Sequence, residues 1–267
     1  MKVYLTEDVA QLILQSKEEE VEVTLDLGKT SARVGRKILL KMPLEKVTGD
    51  FIYLWDGREL FKIAIAAEHY YKLRMLKGAP VLEIDGVRMQ ILHGFSSPLV
   101  HPKKMAHKLG IAEGESVLDT CTGLGYAAIA AAEKGAHVKT VENDANVVEI
   151  AKANPWSRAL FENKGIEAQN GDVFETVKTF EQESFDKIMH DPPRFSKGGG
   201  LYSEEFYRQL LRVAKKGARL FHYVGNPGRG KGRRLWKEIA QRLEKAGWKH
   251  ISHDAGLQGL FAEKKHI

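Results

Sequence analysis

Apolar and polar residues alternate with period two in the first third of the chain and give way to longer mixed segments beyond it. Val21-Glu22-Val23-Thr24-Leu25-Asp26-Leu27 puts its apolar side chains on one face of a strand, and 51–55 and 81–91 repeat the pattern in part. Asp56-Gly57 and Asp85-Gly86 are dipeptides that suit hairpin turns. The pattern predicts a small β-rich N-terminal domain over residues 1–95, with a helix over 62–76. His93-Gly94-Phe95-Ser96-Ser97-Pro98 reads as the linker that ends it.

Over residues 96–267 strands and helices alternate. Strands are predicted at 116–119, 137–142, 166–170, 185–190 and 218–224. Helices are predicted from Tyr126 and over 145–154, 203–215 and 231–246, the first with an alanine-rich face that can pack closely on a sheet. Two further strands, 250–253 and 260–263, are joined by too few residues for a parallel crossover, so they must pair antiparallel. The expected fold is therefore α/β: a Rossmann-like, doubly wound, seven-stranded sheet carrying the small β-rich N-terminal domain.

Composition narrows the function classes. A chain of 267 residues with 43% hydrophobic and 28% charged residues can bury an ordinary globular core. No apolar stretch approaches a membrane span, and the opening residues are no signal peptide, so no membrane role is expected. One cysteine excludes an internal disulfide framework and a cysteine-based zinc finger, and a cytoplasmic location fits. No His/Cys/Asp cluster has metal-ligand spacing, so no metal is expected. A formal charge of +6 favours a polyanionic partner such as RNA, although many basic proteins bind no nucleic acid.

The chemistry lies at four strand ends. Asp119-Thr120-Cys121-Thr122-Gly123-Leu124-Gly125 follows a buried run and reads as a glycine-bearing turn into a helix, where a backbone can approach a nucleotide-like ligand. Glu142-Asn143 ends the second strand, Gly171-Asp172-Val173 the third, and Asp191-Pro192-Pro193-Arg194-Phe195 the fourth. In an open α/β sheet ligands bind outside the carboxyl ends of strands, so these loops should share one site. The spacing is not the glycine fingerprint of nicotinamide-binding folds.

These residues resemble a class I S-adenosylmethionine-dependent methyltransferase, and the antiparallel closing hairpin resembles that fold's ending. The resemblance implies S-adenosylmethionine as cofactor. It places Asp119 and the Gly123 and Gly125 backbone on the methionine portion, with Cys121, Thr122 and Tyr126 in the same turn. It places Glu142, beside Asn143, on the ribose hydroxyls, and Asp172, beside Val173, on the adenine amino group, with Asp191 completing the pocket. Cys121 stands where the family usually has its first glycine, and reads as a packed turn residue more than a nucleophile.

The Asp-Pro-Pro run resembles the loop of enzymes that methylate planar, amide- or aniline-like nitrogens. Such a nitrogen has a delocalised lone pair, and two acceptors on its hydrogens, the Asp191 carboxylate and the Pro192 carbonyl, would favour a pyramidal form. Pro193 stiffens the run. The aromatic residue usually found after the prolines is replaced by Arg194, with Phe195 next, so either Phe195 stacks on the substrate or Arg194 offers a planar guanidinium, unless Phe195 merely anchors the loop. Asp-Pro-Pro-Arg also resembles pyrimidine C5 methyltransferases of RNA, but those need a cysteine nucleophile, and Tyr223-Val224-Gly225-Asn226-Pro227 has glycine where it would stand.

Arg229, Lys231, Arg233 and Arg234, after the fifth strand, form a basic run able to grip phosphates. His101-Pro102-Lys103-Lys104 and Lys197-Gly198-Gly199-Gly200 are similar candidates, the latter as a lid. His190 and His93 are candidates for substrate contact, although a lone histidine is more often structural. The whole chain resembles an archaeal family of predicted RNA methyltransferases, which implies ribosomal RNA as partner and cytidine N4 methylation, single or double. Methylation of protein glutamine or lysine, of small amines, or a non-catalytic cofactor-binding scaffold are the alternatives.

Overall fold

Side chains that alternate inward and outward build the N-terminal part of the protein, whose computed structural model describes residues 2–194, 198–225 and 231–265 of the chain. The chain divides into two compact units. One runs to Val100 and takes in Asn146–Arg158, and the other comprises His101–Ala145 and the residues from Ala159 onward.

The first unit contains β1 (Val3–Leu5), α1 (Glu7–Gln15), β2 (Glu20–Thr24), β3 (Ser31–Gly35), α2 (Arg36–Leu39), β4 (Tyr53–Trp55), β5 (Leu60–Lys62), β6 (Ala64–Ala66), β7 (Tyr70–Leu76), β8 (Ala79–Ile84) and β9 (Val87–Arg88). Its sheets are β1-β4-β5, the hairpin β2-β3 and the meander β6-β7-β8-β9. Val3, Leu5, Ala10, Ile13, Val21, Val23 and Leu39, from β1, α1, β2 and α2, form one buried core. The helix expected over 62–76 is absent: the segment ends β5 and forms β6 and β7. Tyr71 and Leu73 are buried while Tyr70, Lys72 and Arg74 are not, a period of two that no helix can satisfy. Lys77 and Gly78, both at positive φ (49° and 76°), then turn the chain sharply into β8. Trp156 belongs to this unit, and its indole N–H donates to the carbonyls of Asp26 (3.1 Å) and Leu27 (3.2 Å) just beyond β2.

The rest of the chain forms α3 (Val100–Leu109), β10 (Ser116–Asp119), α4 (Tyr126–Ala132), β11 (His137–Glu142), α5 (Ala145–Ala153), α6 (Arg158–Glu162), β12 (Ile166–Asn170), α7 (Val173–Thr179), β13 (Phe185–His190), α8 (Glu204–Val213), β14 (Ala214–Tyr223), α9 (Lys231–Ala246), β15 (Lys249–Asp254) and β16 (Gly259–Glu263); all but α5, which belongs to the first unit from Asn146 on, lie essentially in the second unit. Seven strands make one sheet in the order β12-β11-β10-β13-β14-β16-β15. β10 to β14 are mutually parallel, and β16 runs antiparallel between β14 and β15. The order of strands reverses between β10 and β13, which makes the space above their carboxyl ends the switch point where such sheets bind ligands.

Helix starts are fixed by local chemistry. Asp172 accepts the Phe174 amide to cap α7, and Ser203 accepts the Phe206 amide to cap α8, whose first turn carries Glu204 and Glu205. Phe206, Tyr207, Leu210 and Val213 on α8 fall on one face and are buried in the core with Leu220, Leu243 and Trp248.

Candidate active site

The loops after β10 and β13 are joined before any ligand is considered. The Thr120 amide donates to Met189 O (3.0 Å), extending the β10–β13 pairing one residue past the strand. Its hydroxyl lies 2.6 Å from His190 Nδ1, while His190 Nε2 lies 3.0 Å from Leu201 O. A carbonyl only accepts, so Nε2 carries the proton and Thr120 donates to Nδ1. Burial pushes the His190 pKa down to about 3, which keeps the imidazole neutral. His190, a candidate for substrate contact, is thus wholly buried and structural.

The turn from β10 into α4 is built around two glycines. Gly125, at φ +77°, precedes α4, and a Cβ there would meet Leu160 at 2.7 Å, so the position requires glycine for both conformation and space. Gly123, at φ +54°, has no atom within 4 Å of a would-be Cβ, which leaves open space beside the backbone. Below the turn a chain of hydroxyls leads to an acid. Thr122 Oγ1 is 2.6 Å from Thr140 Oγ1, and Thr140 donates to Asp119 Oδ2 at 2.8 Å. Asp119 Oδ1 is buried with no hydrogen-bond partner among the described residues. Burial, with smaller contributions from Asp191 and Glu142, pushes the Asp119 pKa up to about 8 against the Thr140 bond.

Glu142 is placed at the end of β11 by two amides, Gly123 N–H (2.8 Å) and Asp144 N–H (3.0 Å). Burial still raises its pKa. The Glu142 carbonyl accepts from Gly171 N and from Asn170 Nδ2, both at 2.8 Å, which ties the end of β12 to the end of β11. Asn143 and Asp172 are exposed beside these strand ends. Val173 turns its side chain into the core, leaving only its main chain to a ligand, and Tyr126 is also buried. Cys121 is half-buried, and burial together with Glu142 holds its thiol protonated well above its usual range, against nucleophilic use.

Asp191 begins the loop after β13 as a half-buried carboxylate that no described residue hydrogen-bonds, and burial alone pushes its pKa up to about 7. Pro192 is buried, Pro193 and Arg194 are exposed, and the Pro193 carbonyl accepts from the Tyr202 hydroxyl at 3.0 Å. Asp119, Glu142 and Asp191 are therefore close enough that all three act electrostatically on Cys121. An orphaned buried carboxylate oxygen, a second carboxylate with lone pairs to spare and an open glycine backbone suit a ligand bearing positive charge and hydroxyl groups.

Other expectations fare differently. Phe195 and Arg229 lie outside the described residues, and Lys231, Arg233 and Arg234 fall in the first turns of α9. His101 does not grip phosphate: it is buried in α3 with Nε2 3.0 Å from Leu257 O, because its ring packs on Phe221 and Tyr223. Lys103 pairs with Glu133 at 3.4 Å. Gly199 and Gly200 start a short 3-10 turn ending at buried Tyr202, and Lys197 lies outside the described residues. Thr140, Tyr202 and His222 escaped the sequence reading, since nothing in the pattern distinguishes a hydroxyl or imidazole that supports a loop from one that fills a strand. Among the described residues there is no His/Cys/Asp/Glu group able to hold a metal ion, and no helix long and apolar enough to cross a membrane.

Comparison with known proteins bears on the family and the fold. The family model for the methyltransferase small domain matches residues 103–221. Over 279 aligned positions the chain is 42% identical to uncharacterized protein MJ1233 of Methanocaldococcus jannaschii, covering 98% of this chain and 95% of that protein. Among solved structures, a spermidine synthase in complex with the transition-state analogue AdoDATO superposes with a TM-score of 0.63 at 19% identity, covering 76% of this chain and 73% of that one. Spermidine synthase from Thermotoga maritima gives 0.59 at 17% identity, covering 76% and 72%, and both likenesses concern the fold alone. The chain belongs to the family of the Methanocaldococcus protein and is a class I methyltransferase that uses S-adenosylmethionine.

Proposed function

We propose that this methyltransferase modifies an exocyclic amino nitrogen of RNA, with cytidine N4 in ribosomal RNA as the target, once or twice. The observation that carries the reading is Asp191: a half-buried carboxylate without a partner among the described residues, followed by two prolines, at the switch point beside the cofactor turn. The basic charge and the cationic run at 229–234 support RNA as the partner, and the β-rich N-terminal unit is proposed to help dock it.

When bound, S-adenosylmethionine supplies an electrophilic methyl group on a sulfonium that departs as a neutral thioether when a nitrogen lone pair takes the methyl. Asp119 and the Gly123–Gly125 backbone hold the methionine portion, with Cys121, Thr122 and Tyr126 shaping that turn. Glu142 accepts the ribose hydroxyls beside Asn143, and Asp172 accepts the adenine amino group beside the Val173 main chain. Asp191 and the Pro192 carbonyl, which accepts no bond from a described residue, take the two amine hydrogens and aim the lone pair. Asp191 also stabilises the positive charge that develops on nitrogen, and the resulting cation loses its proton without a strong base. Arg194 and Phe195 are proposed to pack on the base.

The test is to incubate the protein with labelled S-adenosylmethionine and RNA from cells lacking it, and to identify labelled nucleosides by mass spectrometry. N4-methylated cytidine is expected, and Asp191→Ala should abolish transfer while leaving cofactor binding intact. Label confined to C5-methylated nucleosides, or to protein, overturns the reading.

A further inference from the structure

We propose that Tyr202 is a positioning residue for the transfer step, bracing the Asp191-Pro192-Pro193 run through the Pro193 carbonyl. This rests on the reading that transfer occurs at Asp191. The short turn Gly199–Tyr202 meets the end of β13 at two points: Leu201 O accepts from His190 Nε2 (3.0 Å), and the Tyr202 hydroxyl donates to Pro193 O (3.0 Å). A third bond, Gly198 N–H to Arg194 O (3.0 Å), closes the loop on itself. Gly198 sits so near that a Cβ would come within 3.1 Å of Pro193 O.

Tyr202 is itself firmly held. It is 3% exposed, its ring lies 5.3 Å from that of His222 and 6.4 Å from that of His190, and Arg242 Nη1 donates to its carbonyl at 3.1 Å. A buried tyrosine hydroxyl needs a partner, and here the partner is a main-chain carbonyl of the reactive loop.

The consequence is a selection among carbonyls. Of the successive acceptors Pro192, Pro193 and Arg194, the last two are engaged within the loop by Tyr202 and Gly198. The rigid prolines then leave Pro192 O, paired with the Asp191 carboxylate, as the acceptor for the second amine hydrogen. Without the Tyr202 bond the Pro193 carbonyl loses its anchor, and the run that carries Pro192 O is held less tightly.

Tyr202→Phe keeps the ring and its packing while deleting the bond. The expected result is a single-turnover methylation rate reduced roughly two- to tenfold, the range of one hydrogen bond. Affinity for S-adenosylmethionine by calorimetry and the melting temperature should stay near wild type, a split that a general structural defect would not give. Gly198→Ala, which presses on the same carbonyl, should also slow transfer with little change in cofactor affinity. Full-rate transfer by Tyr202→Phe overturns the proposal, as does a rate loss accompanied by an equal loss of cofactor binding. Asp191→Ala in the same assay separates the two ideas: retained activity there refutes the reading itself, whereas an inactive Asp191→Ala beside a full-rate Tyr202→Phe refutes only the role of Tyr202.

Discussion

The hydroxyl of Thr120 lies 2.6 Å from Nδ1 of His190, and this one bond spans the switch point of the sheet. Thr120 directly follows Asp119 in the cofactor turn, and His190 directly precedes Asp191. The two acids are thus each one peptide away from the same hydrogen bond, so their separation is fixed by the strands and by a neutral, tautomer-defined imidazole.

Thr120→Val should therefore destabilise the protein by about 1–3 kcal/mol, the cost of leaving a buried polar nitrogen unpaired. Thr120→Ser should recover most of that. Urea unfolding of the three proteins checks it, and an unchanged midpoint for the valine variant would mean that the bond carries no stability.

Acid should unfold the protein through its buried histidines. His190 has its pKa pushed down to about 3 by burial, and burial with the neighbouring His190 lowers that of His222, whose ring stands 4.4 Å away. Both are neutral when folded and bind protons near pH 6.5 when unfolded, so between about pH 6.5 and 3 the unfolded state holds more protons. Stability should fall as pH drops through that window and be insensitive to these groups above it. His222→Gln, which keeps an acceptor for Tyr207, should flatten the slope of unfolding free energy against pH.

Cofactor binding should release protons. The Asp119 carboxyl, with its pKa pushed up to about 8, is largely protonated at neutral pH, and a bound sulfonium and ammonium favour its charged form. Affinity for S-adenosylmethionine should rise with pH until about 8 and then level off. Calorimetry in two buffers of different ionisation enthalpy measures the protons released. Asp119→Asn, which retains an acceptor for Thr140, should bind more weakly and without the pH dependence.

The two glycines of the cofactor turn should respond differently to alanine. Both have positive φ, which costs roughly 1–2 kcal/mol for a residue with a Cβ. Gly125→Ala adds a clash with Leu160 at 2.7 Å and should lower the melting temperature further, whereas Gly123→Ala enters open space. Gly123→Ala should instead fold and weaken cofactor binding, measured by calorimetry; equal melting temperatures for the two would contradict the packing argument.

The central strands of the second unit, such as β10 and β13, were legible because each carries a buried apolar stretch ended by a turn residue, and the closing hairpin was legible from loop length alone. The segment 62–76 was not: its alanines and lysines suit a helix, but Tyr71 and Leu73 are buried on one face of a strand paired to β6 and β8. Local preference lost to tertiary packing. Helices α1 and α3 were also unexpected, α3 because His101 and Pro102 disguise an apolar face formed by Met105, Ala106 and Leu109. In the site, the acids at strand ends could be read from sequence since each is adjacent to its turn. The braces could not, because Thr140 and Tyr202 act across 21 and 9 positions of chain and carry no local signature.

The reversed strand β16 sets the order in which the fold can be completed. It enters between β14 and β15, with Gly259 giving Phe221 room to lie where any Cβ would clash at 2.4 Å. During synthesis β15 emerges before the strand that must separate it from β14, so it has no correct neighbour, and the β14 edge stays open until residues 259–263 leave the ribosome. An exposed apolar edge is an aggregation hazard. The step most exposed to misassembly in this sheet is thus the insertion of β16, and a chain stalled or cut just before β16 would carry every acid of the candidate active site on a sheet that cannot close.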